Sequence, residues 1–375
     1  MGYCGYQNNK SGTILKHNRD GGARIALMRH RWFIAAVGAI PVLILAGVCG
    51  WRWVTGPMYS PGDARELTLE PPPQTAPGLW TVEPGIKLQY FSSGEGRNVL
   101  VVHGGPGIPT RDPWPGLELL KDRFRFHYYD QRGCGGSTRP FDRFDSGGFS
   151  NTGHLERTLG LAAQVADIER IRRILGDEKL VLIGHSFGGL IAALYAAEFP
   201  ERVGALVLVA PATLLVMPAR DGNLYENIRS RLPAAQRAAY DAWLTEYMNF
   251  RTMFAKTEKQ LAAEHLRSSE FLRAVTGQKF QTPAHIEDAG GWVVRALYLS
   301  LGSHHNWRKS MRAVAAPVLV LHGENDLQPE TATRLWAFAL PTARFDVISD
   351  CSHFPHIENP ATFAAALRRF LLKEN

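Results

Sequence analysis

Residues 179–198 read KLVLIGHSFGGLIAALYAAE. Leu180–Ile183, after Lys179, are an apolar run of strand length, and from Phe187 onward the apolar residues follow helical spacing. Between them lies Gly184-His185-Ser186-Phe187-Gly188. Glycines two positions either side of a serine permit a tight strand-to-helix turn, which would lift the Ser186 hydroxyl above the end of a sheet. A lone G-x-S-x-G is weak evidence; with a strand before it and a helix after it, the segment predicts an exposed nucleophile on an α/β scaffold.

The pattern alternates on both sides of this segment. TVEPGIKLQYFSSGEG at 81–96 reads as an antiparallel pair, NVLVVHG at 98–104 and FRFHYYDQ at 124–131 as strands, and AAQVADIERIRRIL at 162–175 as a helix. After the serine come the strands VGALVLVA, PVLVLHG and ARFDVIS, with the helices TATRLWAFAL and PATFAAALRRFL among them. Short buried strands alternating with helices predict a mostly parallel sheet covered on both faces. Residues 213–307 break the rhythm with amphipathic helical stretches, and are expected to form a helical cap inserted between two strands. The core is thus expected over 79–212 and 308–375.

A serine hydroxyl needs a base, and the base needs an orienting carboxylate. In this architecture the chain order is Ser, acid, His. Asp326 follows PVLVLHG and His353 follows ARFDVIS, so both are expected at strand C-terminal ends, where open α/β sheets place their ligands. Glu324 and Asp350 rival Asp326, and His356 rivals His353, with a packing role expected for His356. The backbone N–H groups of Phe187 and of Gly105, in HGGPG at 103–107, are the candidate donors to a tetrahedral oxyanion. No CxxC or HExxH occurs, and neither a metal nor another cofactor is expected.

Taken together, HGGPG at 103–107, YDQRGCGGS at 129–137, GHSFGG at 184–189, GEND at 323–326 and SHFPHIENP at 352–360 resemble the α/β-hydrolase superfamily. The first two resemble its proline iminopeptidase branch. The resemblance implies an eight-stranded sheet with an inserted helical cap, release of an N-terminal residue from short peptides, and catalytic roles for Ser186, Asp326 and His353, with Gly105 and Phe187 as the oxyanion hole. It also implies cap carboxylates that bind the substrate ammonium, for which Glu226 and Glu246 are candidates beside Glu270 and Glu287. His185 and Phe187 depart from the Gly-Gly-Ser-Trp-Gly elbow common in that branch and are shared with general esterases, so a carboxylesterase remains the alternative. A non-catalytic hydrolase-like binding protein is the reading from a different class. Asp130 and Arg132 are expected to brace their loop, and Cys134 and Cys351 leave a disulfide open.

The formal charge of the 375 residues is +7. Residues 1–31 hold six Lys or Arg against Asp20, a balance of +5, so only +2 remains elsewhere and nucleic acid is not an expected partner. An uncharged run follows at 32–51, about 30 Å long as a helix and flanked by Trp32, Trp51 and Trp53. It is expected to be a transmembrane signal-anchor holding the catalytic domain outside the cytoplasm; a cleaved signal peptide with a secreted product is the alternative. Met28 opens a conventional n-region, so residues 1–27 are treated as a possible over-long start. The Pro-rich stretch 52–78 is expected to be a semi-rigid linker.

Overall fold

The computed structural model describes residues 56–145, 149–219, 222–276 and 288–372. The expected anchor at 32–51 and the basic stretch before it lie outside the described residues. Among the described residues, no helix is long and apolar enough to cross a membrane.

The eight strands of the main sheet are β1 (Leu79–Glu83), β2 (Ile86–Ser93), β3 (Arg97–Val102), β4 (Phe124–Tyr129), β5 (Leu180–His185), β6 (Val203–Val209) and, after an insertion, two more. That insertion carries a two-residue ladder, β7 (Val216–Met217) with β8 (His305–Asn306), and the last sheet strands are β9 (Val318–Gly323) and β10 (Ala343–Ile348). Their order is β1-β2-β4-β3-β5-β6-β9-β10. Pairings β1–β2 and β2–β4 are antiparallel, and all others in this sheet are parallel. The fold is therefore α/β with a mostly parallel eight-stranded sheet.

The longer helices are α1 (Phe149–Leu159), α2 (Leu161–Leu175), α3 (Phe187–Glu198), α4 (Leu224–Arg231), α5 (Ala234–Tyr247), α6 (Glu258–Thr276), α7 (Trp292–Leu301), α8 (Glu330–Ala339) and α9 (Pro360–Leu371). Both sheet faces are buried, and side chains alternate between them. Leu182, Leu208 and Val320 belong to one core cluster, while Val181, Val207 and Leu319 belong to the other. This explains why the central strands read as unbroken apolar runs rather than as alternating ones.

Two segments differ from expectation. The stretch read as a linker is docked from Gly56 through Leu67: Tyr59 and Ala64 are fully buried, the Tyr59 hydroxyl donates to Glu198, and Ala64 N–H donates to the same carboxylate at 3.2 Å. Its Pro-rich composition concealed one aromatic anchor and a short helix, Asp63–Leu67. The inserted segment 213–307 is also not all cap, because α7 packs against α1 and α2. Apolar residues on nearly every side of WVVRALYLSL mark a helix buried all round, which periodicity alone could not assign to core or cap.

Candidate active site

β5 ends on His185, and α3 begins on Phe187. Ser186 between them has φ 52° and ψ −119°, a left-handed backbone that a non-glycine residue adopts at a cost of about 1–3 kcal/mol. The surroundings hold it there: Ser186 N–H donates to Val209 C=O at 2.9 Å, and its own carbonyl accepts from Ala212 and Gly189 N–H, each at 3.0 Å. The flanking glycines are required by space. A Cβ on Gly184 would lie 2.5 Å from Gly188 O, and one on Gly188 would lie 2.2 Å from Val102 O.

Asp326 follows β9, and His353 follows β10. The structure brings both to Ser186: His353 Nδ1 lies 2.9 Å from Asp326 Oδ1, and His353 Nε2 lies 3.0 Å from Ser186 Oγ. With Nδ1–H donated to the carboxylate, Nε2 presents its lone pair to the serine O–H. All three residues are buried. Asp326 Oδ1 also accepts Gln328 N–H at 2.9 Å, and the Gln328 side chain bonds Ala210 C=O and Thr213 N–H, which fixes the loop to the end of β6. Burial by itself would raise the Asp326 carboxyl. The His353 charge and hydrogen bond, with the Gln328 N–H and His322, outweigh it and hold the group below its ordinary value.

The rivals are engaged otherwise. Glu324 accepts Asp350 N–H at 3.0 Å in an exposed turn, and His356 stacks on Trp114 with ring centroids 3.9 Å apart. Other imidazoles near the serine are neutral. His185, whose Nε2 donates to His353 C=O at 2.8 Å, is lowered to about 3 by burial and by the His353 charge. His103 is lowered to about 4, chiefly by burial; it donates to Gly104 C=O at 2.9 Å and accepts Gln131 N–H at 3.1 Å. Burial also holds His356 well below its usual value.

The HGGPG loop passes against the serine, where a Cβ on Gly104 would lie 2.9 Å from Ser186 Cβ. Gly105 lines the same cavity, at φ +117°. Phe187 is buried in the core, and its N–H belongs to the first turn of α3, where amides have no intrahelical partner. Asp130 and Arg132 brace the neighbouring loop: Arg132 pairs with Asp167 at 2.5 Å and with Glu83 at 2.8 Å, while Asp130 pairs with Arg111 at 3.1 Å and accepts Gly136 N–H at 2.8 Å.

Ser186 opens into a cavity of about 730 Å³. Much of its lining is aromatic or aliphatic, with Trp114 from the loop after β3 and Tyr225, Ile228, Tyr240, Trp243 and Leu272 from the inserted helices. Glu226 and Glu246 are not among the lining residues. Glu226 is exposed in the first turn of α4, and Glu246 is drawn to Lys256 at 2.6 Å on the outer surface. The amphipathic faces that carry these acids point to water, so the expectation that they reach the substrate is corrected; Glu287 lies outside the described residues. The carboxylates that do line the cavity are Asp112 and Asp288, the latter paired with Arg111 at 3.0 Å.

Cys134 and Cys351 are both free and buried, in core clusters on opposite faces of the sheet. Among the described residues, no group of His, Cys, Asp and Glu is arranged to hold a metal ion. His305 is buried, bonded to Leu301 C=O and Leu214 C=O and stacked on Trp307. Sequence reasoning did not single out Trp114, Arg111, Asp288, Tyr225 or Tyr240. The spacing of Tyr240, Trp243 and Tyr247 on one helix face was the available signal, and it reads equally well as ordinary core.

The family model described as alpha/beta hydrolase fold matches residues 97–360. Among curated proteins, the proline iminopeptidase of Heyndrickxia coagulans is 25% identical over 295 residues, covering 76% of this chain and 94% of the relative. That of Lactobacillus delbrueckii subsp. bulgaricus is 25% identical over 294 residues, covering 74% and 90%. Among solved structures, a thermophilic esterase from Thermogutta terrifontis is 26% identical, with a TM-score of 0.51, covering 77% of this chain and 94% of that one.

Proposed function

The chain belongs to the alpha/beta hydrolase fold family and is a hydrolase; from that premise we propose that it acts through an acyl-enzyme on Ser186. The observation that carries this reading is the hydrogen-bonded chain Ser186–His353–Asp326 at the floor of the cavity. His353 takes the hydroxyl proton as Ser186 Oγ attacks the substrate carbonyl, and Asp326 holds the imidazole tautomer and stabilises the imidazolium. The Gly105 and Phe187 N–H groups receive the oxyanion, a contribution of about 10²–10³ in rate for each such donor. His353 then protonates the leaving group. Water, activated by the same imidazole, releases the acid.

We read the substrate as a short peptide with a free N-terminus. The relatives named proline iminopeptidase support this over nearly their whole length. A desolvated ammonium needs a carboxylate, and Asp112 and Asp288 are the cavity groups of that charge. The second reading, a carboxylesterase, is favoured by the aromatic wall, by the Asp288 carboxylate being engaged with Arg111, and by the likeness to the Thermogutta esterase.

The test compares kcat/KM on prolyl and alanyl anilides, their N-acetylated forms and p-nitrophenyl esters. Turnover of the free-amine anilides, abolished by acetylation, is the expected outcome. Turnover of esters alone would replace the peptidase reading with the esterase one. Ser186→Ala should lower kcat by about four to six orders of magnitude on any substrate, and retained activity would overturn the acyl-enzyme.

A further inference from the structure

A second groove, of about 800 Å³, lies between residues 306–312 and the C-terminal end of α8. Arg308, Lys309 and Arg312 line it, together with Asn306, Phe338 and Pro341, and no carboxylate is in its lining. The three cations are exposed, and none pairs with a carboxylate among the described residues; Arg308 Nε donates to the neutral Asn306 Oδ1 at 3.1 Å. The chain outside residues 1–31 carries a balance of only +2, so three unpaired cations at one groove are a local concentration of charge. Beside them Phe338 is 83% exposed, more than any other large apolar side chain among the described residues.

A small anion would use the cations and leave the phenyl ring in water. A bilayer surface bearing anionic lipid accounts for both, because headgroup phosphates attract Lys and Arg while an aromatic ring enters the headgroup and acyl boundary. We propose that this groove docks on the anionic headgroups of a phospholipid bilayer, with Arg308, Lys309 and Arg312 on phosphates and Phe338 in the interfacial layer.

The test places the full-length chain in nanodiscs of phosphatidylcholine, with or without one-third phosphatidylglycerol, and follows amide hydrogen exchange at 305–312 and 335–341. Slower exchange in the anionic discs only, reversed by 0.5 M salt, is the expected result. Each Lys or Arg near such a surface multiplies the docked-to-undocked ratio about fivefold, so R308Q/K309Q/R312Q should lower it roughly a hundredfold. Unchanged hydrolysis by this triple variant in detergent would show that it is folded. Equal exchange in the two lipids, or protection by phosphatidylglycerol that survives the triple substitution, would overturn the proposal.

Discussion

Glu156 on α1 is buried against Ser300 on α7, whose hydroxyl lies 2.7 and 2.6 Å from its two oxygens and accepts Leu161 N–H at 2.9 Å. Burial, opposed in part by the Ser300 hydrogen bond, raises the carboxyl from 4.5 to about 7. A shift of that size corresponds to roughly 3 kcal/mol. Between these two values the folded chain holds a proton that the unfolded chain has released, so stability falls as pH rises through this window. From pH 5 to pH 8 the loss from this one group is about 2.5 kcal/mol. Glu156→Gln keeps the shape and removes the titration. The variant should match the parent within roughly 0.5 kcal/mol at pH 5 and exceed it by about 2–3 kcal/mol at pH 8. Urea unfolding followed by tryptophan fluorescence at pH 5, 6, 7 and 8 measures this. Subtracting one protein from the other removes the buried histidines, whose lowered values act in the opposite direction. A difference that stays flat across the series would refute the reasoning.

Asp326→Asn should reduce kcat about 10⁴-fold with KM little changed, because the amide would donate to His353 Nδ1 and leave the proton on Nε2, facing the serine; activity within tenfold of the parent would sink the assignment. Gly188→Ala places a Cβ 2.2 Å from Val102 O and 2.4 Å from His103 O, both backbone atoms that cannot retreat, so a loss of roughly 3 kcal/mol is expected in urea unfolding. Gly176→Ala is the control. Nothing lies within 4 Å of its Cβ, so only its φ of +73° is felt, for about 1 kcal/mol. Equal losses at the two positions would mean that crowding at the elbow is not what demands glycine.

What the sequence reveals about this molecule follows from how local each signal is. Ser186, Asp326 and His353 each lie within five residues of a strand's C-terminal end, and a parallel sheet brings such ends to one edge, so three distant residues could be placed together without coordinates. The antiparallel start of the sheet was equally readable, in the short turn between Glu83 and Ile86. The cavity wall was not. Tyr225, Tyr240 and Trp243 face the serine because of how α4 and α5 are oriented over the sheet, and helix orientation depends on contacts far apart in the chain. Glu246 shows the same limit from the other side: its helix was foreseen, but the face that carries it points to water, where it pairs with Lys256. Tyr59 was hidden by composition. A single buried phenol among prolines and glycines fixes a segment that averages to linker.

The small ladder pairing Val216 with Asn306 and Met217 with His305 ties the two ends of the inserted segment together. To the sheet, everything between those ends behaves as one closed loop. Closure entropy grows only with the logarithm of loop length, by about 0.6 kcal/mol per doubling, so the excursion could be lengthened, shortened or rewritten while strand pairing scarcely registers the change. One part is not free in this sense, because α7 is built into the body beside α1 and α2. The remaining helices of the segment, α4, α5 and α6, supply residues that line the cavity. The fold thus separates a floor held by strand pairing from a roof whose length and sequence the sheet does not dictate.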